Sequence, residues 1–125
     1  MPYKITVENK VLRITMSGRV TGLDLDGLVT EAGNYEQNVD VVPHRITDMT
    51  GIVELAVNYP EVSALAEKRR ELHFANRFKS AIIATCGQHL GYARMFQTLN
   101  DNPQITIRIF PDEASASEWI ASSSP

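Results

Sequence analysis

A single cysteine, Cys86, is all the thiol chemistry this 125-residue chain carries. No disulfide can form within it, which fits a reducing, cytosolic setting. Long hydrophobic runs are missing too. The longest aliphatic stretch, Ala81-Ile82-Ile83-Ala84, is far too short to cross a bilayer. The opening MPYKITVENK alternates polar and apolar residues and lacks the apolar core of a secretory signal. Positive charge is not in excess. The formal net charge is −3, which argues against a general nucleic-acid binder. His44, His73 and His89 are scattered, so no ligand set for a structural zinc emerges. The expectation is a soluble, cytoplasmic protein with no metal, no cofactor and no membrane span.

What is present suits one domain, because the length sits near the commonest size for a single core and suffices to fold without covalent staples. YKITVEN and VLRITMSG alternate apolar and polar residues, and Asn9-Lys10 between them is short enough for a tight hairpin. Thr21 and Asp24 form a helix-start signal, after which Leu25, Leu28, Val29, Ala32 and Tyr35 recur at helical spacing. A short third strand, HRITDM, fits poorly as a fully buried one, because Arg45 and Thr47 fall on the same face. Asn58 to Phe78 predicts a helix with Pro60 in its first turn and Val62, Leu65, Ala66 and Leu72 inside. KSAIIATC is the most continuous apolar strand and the expected sheet centre. GQHLGYARMFQTLND, QITIRIF and a last helix capped by Asp112 complete the chain. The order β-β-α-β-α-β-α-β-α predicts an α/β fold: a mostly parallel five-stranded sheet, opened by an antiparallel hairpin and packed with four helices.

That order, with ITDMTG at the third strand, FKSAIIAT at the fourth, GYARMF in the following helix and IRIFPDEASASEWI at the end, resembles the STAS-like proteins, more narrowly the SpoIIAA-like group. The group's fold is similar to that of CRAL-TRIO lipid-binding domains. The resemblance implies a non-enzymatic regulatory or binding module. In anti-sigma-factor antagonists of this fold, the turn after the third strand carries an Asp-Ser-Ser-Gly signature with a phosphorylatable serine. Here the same place reads Asp48-Met49-Thr50-Gly51, and no serine follows through Val57. Thr50 is the only hydroxyl in the segment 49–57, so no kinase-dependent switch is expected there.

Three constellations remain. Asp48 and Thr50 end a strand where open α/β sheets place ligands, although such side chains also satisfy turn amides. Cys86 with His89, and Asp48 as an orienter, would make a thiol-dependent enzyme. A lone cysteine ending a buried strand is more often a small apolar filler, and Cys86 is expected to be one. The basic run Lys68, Arg69, Arg70, Arg77 and Lys79, interspersed with Glu67 and Glu71, is expected to be a solvated helix face. The leading expectation is a binding or regulatory module that contacts a protein partner or a small, partly apolar ligand. The alternative is a carrier of such a ligand. Its site is expected near the carboxyl ends of the third and fourth strands, with Thr50, Tyr92 and Arg94 on a polar head and Ile52, Leu55 and Phe96 on an apolar body. Two edge-like strands, YKITVEN and QITIRIF, also predict a symmetric homodimer.

Overall fold

The computed structural model describes residues 2–123. Strands β1 (Tyr3–Glu8) and β2 (Val11–Thr21) form the hairpin. Asn9 and Lys10 join them with φ of 52° and 63°, the left-handed pair that matches hairpin twist. Helix α1 (Gly22–Gln37) starts in a capping box: Thr21 Oγ1 accepts from the Asp24 amide, and the Asp24 carboxylate accepts from the Thr21 amide. After β3 (His44–Ala56), a second box between Asn58 and Glu61 starts α2 (Tyr59–Arg70), with Pro60 in its first turn. Strand β4 (Phe78–Ile83), helix α3 (Gly87–Leu99), strand β5 (Ile105–Phe110) and helix α4 (Glu113–Ala121) follow. Asp112 caps α4 by accepting from the Ser115 amide at 2.7 Å. Each cap satisfies backbone donors that a helix's first turn leaves open.

The strands lie in the order β1-β2-β3-β4-β5, with β1 antiparallel to β2 and the other pairs parallel. Each parallel crossover advances one strand in the same direction. Right-handed crossovers then put α1, α2 and α3 on one face. The alternation along each strand reads accordingly. Leu12, Ile14 and Met16 of β2, Ile82 of β4 and Ile107 of β5 join the large core with Leu28 and Ala32 of α1 and Ala93 of α3. On the opposite face Ile46, Ala81 and Ile83 pack against Ala116, Trp119 and Ile120 of α4. Lys79 reaches that face too, donating from Nζ to the carbonyls of Trp119 and Ser122 at 2.8 and 2.7 Å, where a cation complements the helix's C-terminal end.

Three expectations are corrected. Helix α2 stops at Arg70 instead of reaching Phe78. Asn102 Nδ2 donates to the carbonyls of Arg70 and Leu72, and the Gln104 side-chain amide exchanges hydrogen bonds with the backbone of Phe74, so distant side chains satisfy the chain where the helix would continue. The segment expected to turn after Met49 instead stays in β3 as far as Ala56, paired with the second half of β2. Two register shifts accommodate it, since β3 places an extra residue between Asp48 and Gly51 and another between Ile52 and Glu54. A Cβ on Gly51 would lie 2.7 Å from the Met16 carbonyl oxygen, so the first bulge needs a glycine. The sheet centre is β3. Strand β4 is continuously buried because helices cover both its faces, not because it is central.

Candidate functional site

Between the sheet and helices α1 to α3 lies a cavity of about 100 Å³. Its floor is Ile14 and Met16 of β2, Arg45, Thr47 and Met49 of β3, and Ser80 and Ile82 of β4. Leu25, Leu28 and Val29 of α1 close one side, Val62 and Leu65 of α2 another. Tyr92, Ala93 and Phe96 of α3, with Leu55 near the end of β3 and Val57 just beyond it, complete the wall. Leu25, Val29, Val57, Tyr92 and Phe96 are half-buried and form the side nearest solvent. Helix α3 is held over the end of β3 by two side chains: Gln88 Nε2 donates to the Leu55 carbonyl at 3.0 Å, and the Tyr92 hydroxyl donates to the Val57 carbonyl at 3.1 Å.

The charged neighbour of this apolar space is Arg45. It is 5% exposed, and its Nε is buried without a hydrogen-bond partner among the described residues. Burial pushes its guanidinium down to about 10, with Arg69 adding to the shift and Glu36 opposing it. Beside it, Glu36 of α1 and Arg69 of α2 make a fully buried two-pronged ion pair. The Arg69 guanidinium also lies 5.1 Å from the Phe74 ring centre and 5.8 Å from that of Phe78. Burial alone raises Glu36, but the charges of Arg45 and Arg69 and the hydrogen bonds of Arg69 outweigh it and hold the carboxyl below its ordinary range. The basic run is therefore not one solvated face: Lys68 and Arg70 are exposed, whereas Arg69 and Lys79 are buried.

Of the residues expected at a ligand site, Leu55, Tyr92 and Phe96 line the cavity. Ile52 is buried in the same core but does not line it. Thr50 is exposed beside the first bulge, where its amide and hydroxyl both donate to Asp48 Oδ1, at 2.9 and 2.6 Å. Arg94 is exposed on α3 and borders a separate open depression with Thr85, Gln97 and Arg108. Sequence reasoning missed Arg45 and Ser80 as cavity residues. The available signal was the polar pair Arg45 and Thr47 on one face of an otherwise apolar strand.

Cys86 corrects another expectation. It is exposed at the N-cap of α3, beyond the end of β4, instead of filling space in the core. His89 is buried one turn into the helix, and no hydrogen bond joins it to Cys86 among the described residues. Asp48, the expected orienter, is already taken by Thr50.

No family model and no curated protein matches this sequence. Among solved structures, the chain is similar to an uncharacterized protein of the DUF3478 family from Shewanella loihica, described as having a SpoIIAA-like fold. The two share 14% identity over 95% of this chain and 92% of that one, with a TM-score of 0.59. At that identity the likeness speaks to architecture, and the order of strands and helices agrees with it: this chain has the SpoIIAA-like fold.

Proposed function

We propose that this chain is a non-enzymatic binding module that holds a small, largely apolar ligand between its sheet and helices α1 to α3. The carrying observation is the cavity of about 100 Å³ with aliphatic and aromatic walls. Close-packed interiors leave few voids larger than a water, and ligand sites are typically apolar pockets with a few placed polar groups. The thiol-enzyme alternative is less well supported, because Cys86 and His89 are not brought together by a hydrogen bond. Amide chemical shifts measured during titration with cyclopentane test the reading. Saturable changes are expected around Leu25, Leu55 and Tyr92, and Ala93→Leu, which puts a larger side chain into the cavity, should abolish them. Absence of saturable change in the unaltered protein contradicts the reading.

Protein contacts form a second reading, favoured by the two open sheet edges. Among the described residues, strands β1 and β5 each pair on one side only, and such edges invite pairing with another chain. A homodimer is the simplest form of that contact. Light scattering at high concentration decides it, a monomer mass counting against the dimer.

A further inference from the structure

Three polar side chains on the cavity floor are neighbours. Arg45 stands opposite Ser80 across the β3–β4 ladder, and Thr47 is two residues further along β3, on the same face. Among the described residues, none of these side chains has a hydrogen-bond partner, and Arg45 Nε is sealed from solvent. The fourth polar residue of the lining, Tyr92, is already committed to the Val57 carbonyl.

The charges around this group do not balance. Arg45 and Arg69 bring two positive charges and Glu36 brings one negative charge. Both oxygens of Glu36 are taken by the Arg69 fork. Arg45 feels the Glu36 charge but, among the described residues, has no hydrogen-bonded anion of its own, and buried charges are ordinarily paired and hydrogen-bonded. Two hydroxyls within the same small floor are the donors a carboxylate would use beside a guanidinium.

We propose that the cavity takes a small apolar monocarboxylate. Its carboxylate meets Arg45, with Thr47 and Ser80 completing its hydrogen bonds, and its hydrocarbon lies against Leu28, Leu65, Ile82 and Phe96. This rests on the reading of the cavity as the ligand site and adds the ligand's charge and size. A cavity of roughly 150 Å³ holds benzene, so a space of about 100 Å³ suits a ligand of at most about six non-hydrogen atoms. Long-chain fatty acids exceed it. Inorganic phosphate has no hydrocarbon to offer the aliphatic walls and would bring up to two charges to one unpaired guanidinium.

Titration calorimetry with isobutyrate, isobutyramide and inorganic phosphate separates these possibilities, since the first two have nearly the same shape. Isobutyrate is expected to bind about 10- to 100-fold more tightly than isobutyramide, the range for hydrogen bonds to a charged group. Phosphate should not bind. Arg45→Met should remove the preference for the acid, so that isobutyrate binds no more tightly than isobutyramide, and Arg45→Lys, which keeps the charge, should retain part of that preference. Equal binding of acid and amide to the unaltered protein overturns the carboxylate assignment and leaves the cavity reading standing; it is the result expected if water alone serves Arg45. Tighter binding of phosphate than of isobutyrate also overturns the assignment. Failure of all three to bind, together with no response to cyclopentane, overturns both. The comparison on the unaltered protein decides the matter even if a variant fails to fold.

Discussion

Arg69 and Glu36 meet as a fork, with Nη1 2.5 Å from Oε1 and Nη2 3.0 Å from Oε2, and both side chains are removed from solvent. With Arg45 nearby, the group holds two cations against one anion. Glu36→Gln should therefore cost about 3–5 kcal/mol, because it leaves buried charge uncompensated. Adding Arg45→Met should recover part of that loss, since it removes one of the stranded cations. Urea denaturation of the single and double variants checks this, and losses that simply add would contradict it.

The same carboxyl sets an acid limit. Glu36 titrates below its ordinary value of 4.5 in the folded protein, so the unfolded chain binds its proton first as pH falls. Its contribution is present above about pH 4.5 and is lost as pH drops through the lowered folded value. Stability measured from pH 6 down to pH 3 should fall less steeply in Glu36→Gln than in the unaltered protein. Parallel curves would show that Glu36 does not carry this dependence.

How much of this was legible follows from how far apart the deciding residues lie. The hairpin and two of the side-chain caps were readable because each is a signal within about four residues: Asn9-Lys10, Thr21 with Asp24, and Asp112; for α2 the start at Asn58 and Pro60 in the first turn were read, but not the box that Asn58 makes with Glu61. The end of α2 was not readable, since Asn102 and Gln104 supply its hydrogen bonds from some thirty residues away. Arg45 and Thr47 on one face flagged something unusual in β3. That Ser80 would stand beside them required the β3–β4 register, which the sequence alone does not set.

Lys79 anchors α4 through the Trp119 and Ser122 carbonyls. Lys79→Met keeps much of the side chain's volume and removes these bonds, so a loss of about 1.5–3 kcal/mol is expected. Trp119 is 6% exposed, and its fluorescence should shift to longer wavelength if α4 loosens. An unshifted spectrum with unchanged stability would contradict the anchoring role.

Two glycines should respond oppositely to alanine. Gly51→Ala places a Cβ 2.7 Å from the Met16 carbonyl oxygen and should destabilise by about 1–3 kcal/mol. Gly91 is exposed inside α3, and a methyl group there would meet nothing within 4 Å, so Gly91→Ala should stabilise by about 1 kcal/mol. Thermal unfolding of both variants reads the signs directly.

The exposed thiol gives a simple check on the start of α3. Cys86 should react fully with a thiol reagent in the native state, with no accompanying loss of helix signal. Modification that proceeds only after unfolding would return Cys86 to the core.

The space beneath α1, α2 and α3 is the foundation of the binding reading, and a crystal structure determined under xenon pressure tests it most directly. Xenon enters preformed apolar cavities without needing charge or hydrogen bonds. A xenon peak is predicted in the cavity, against Leu65, Ile82 and Phe96, with the surrounding side chains unmoved. A crystal that takes up no xenon there, with those side chains packed together across the space, would contradict the account.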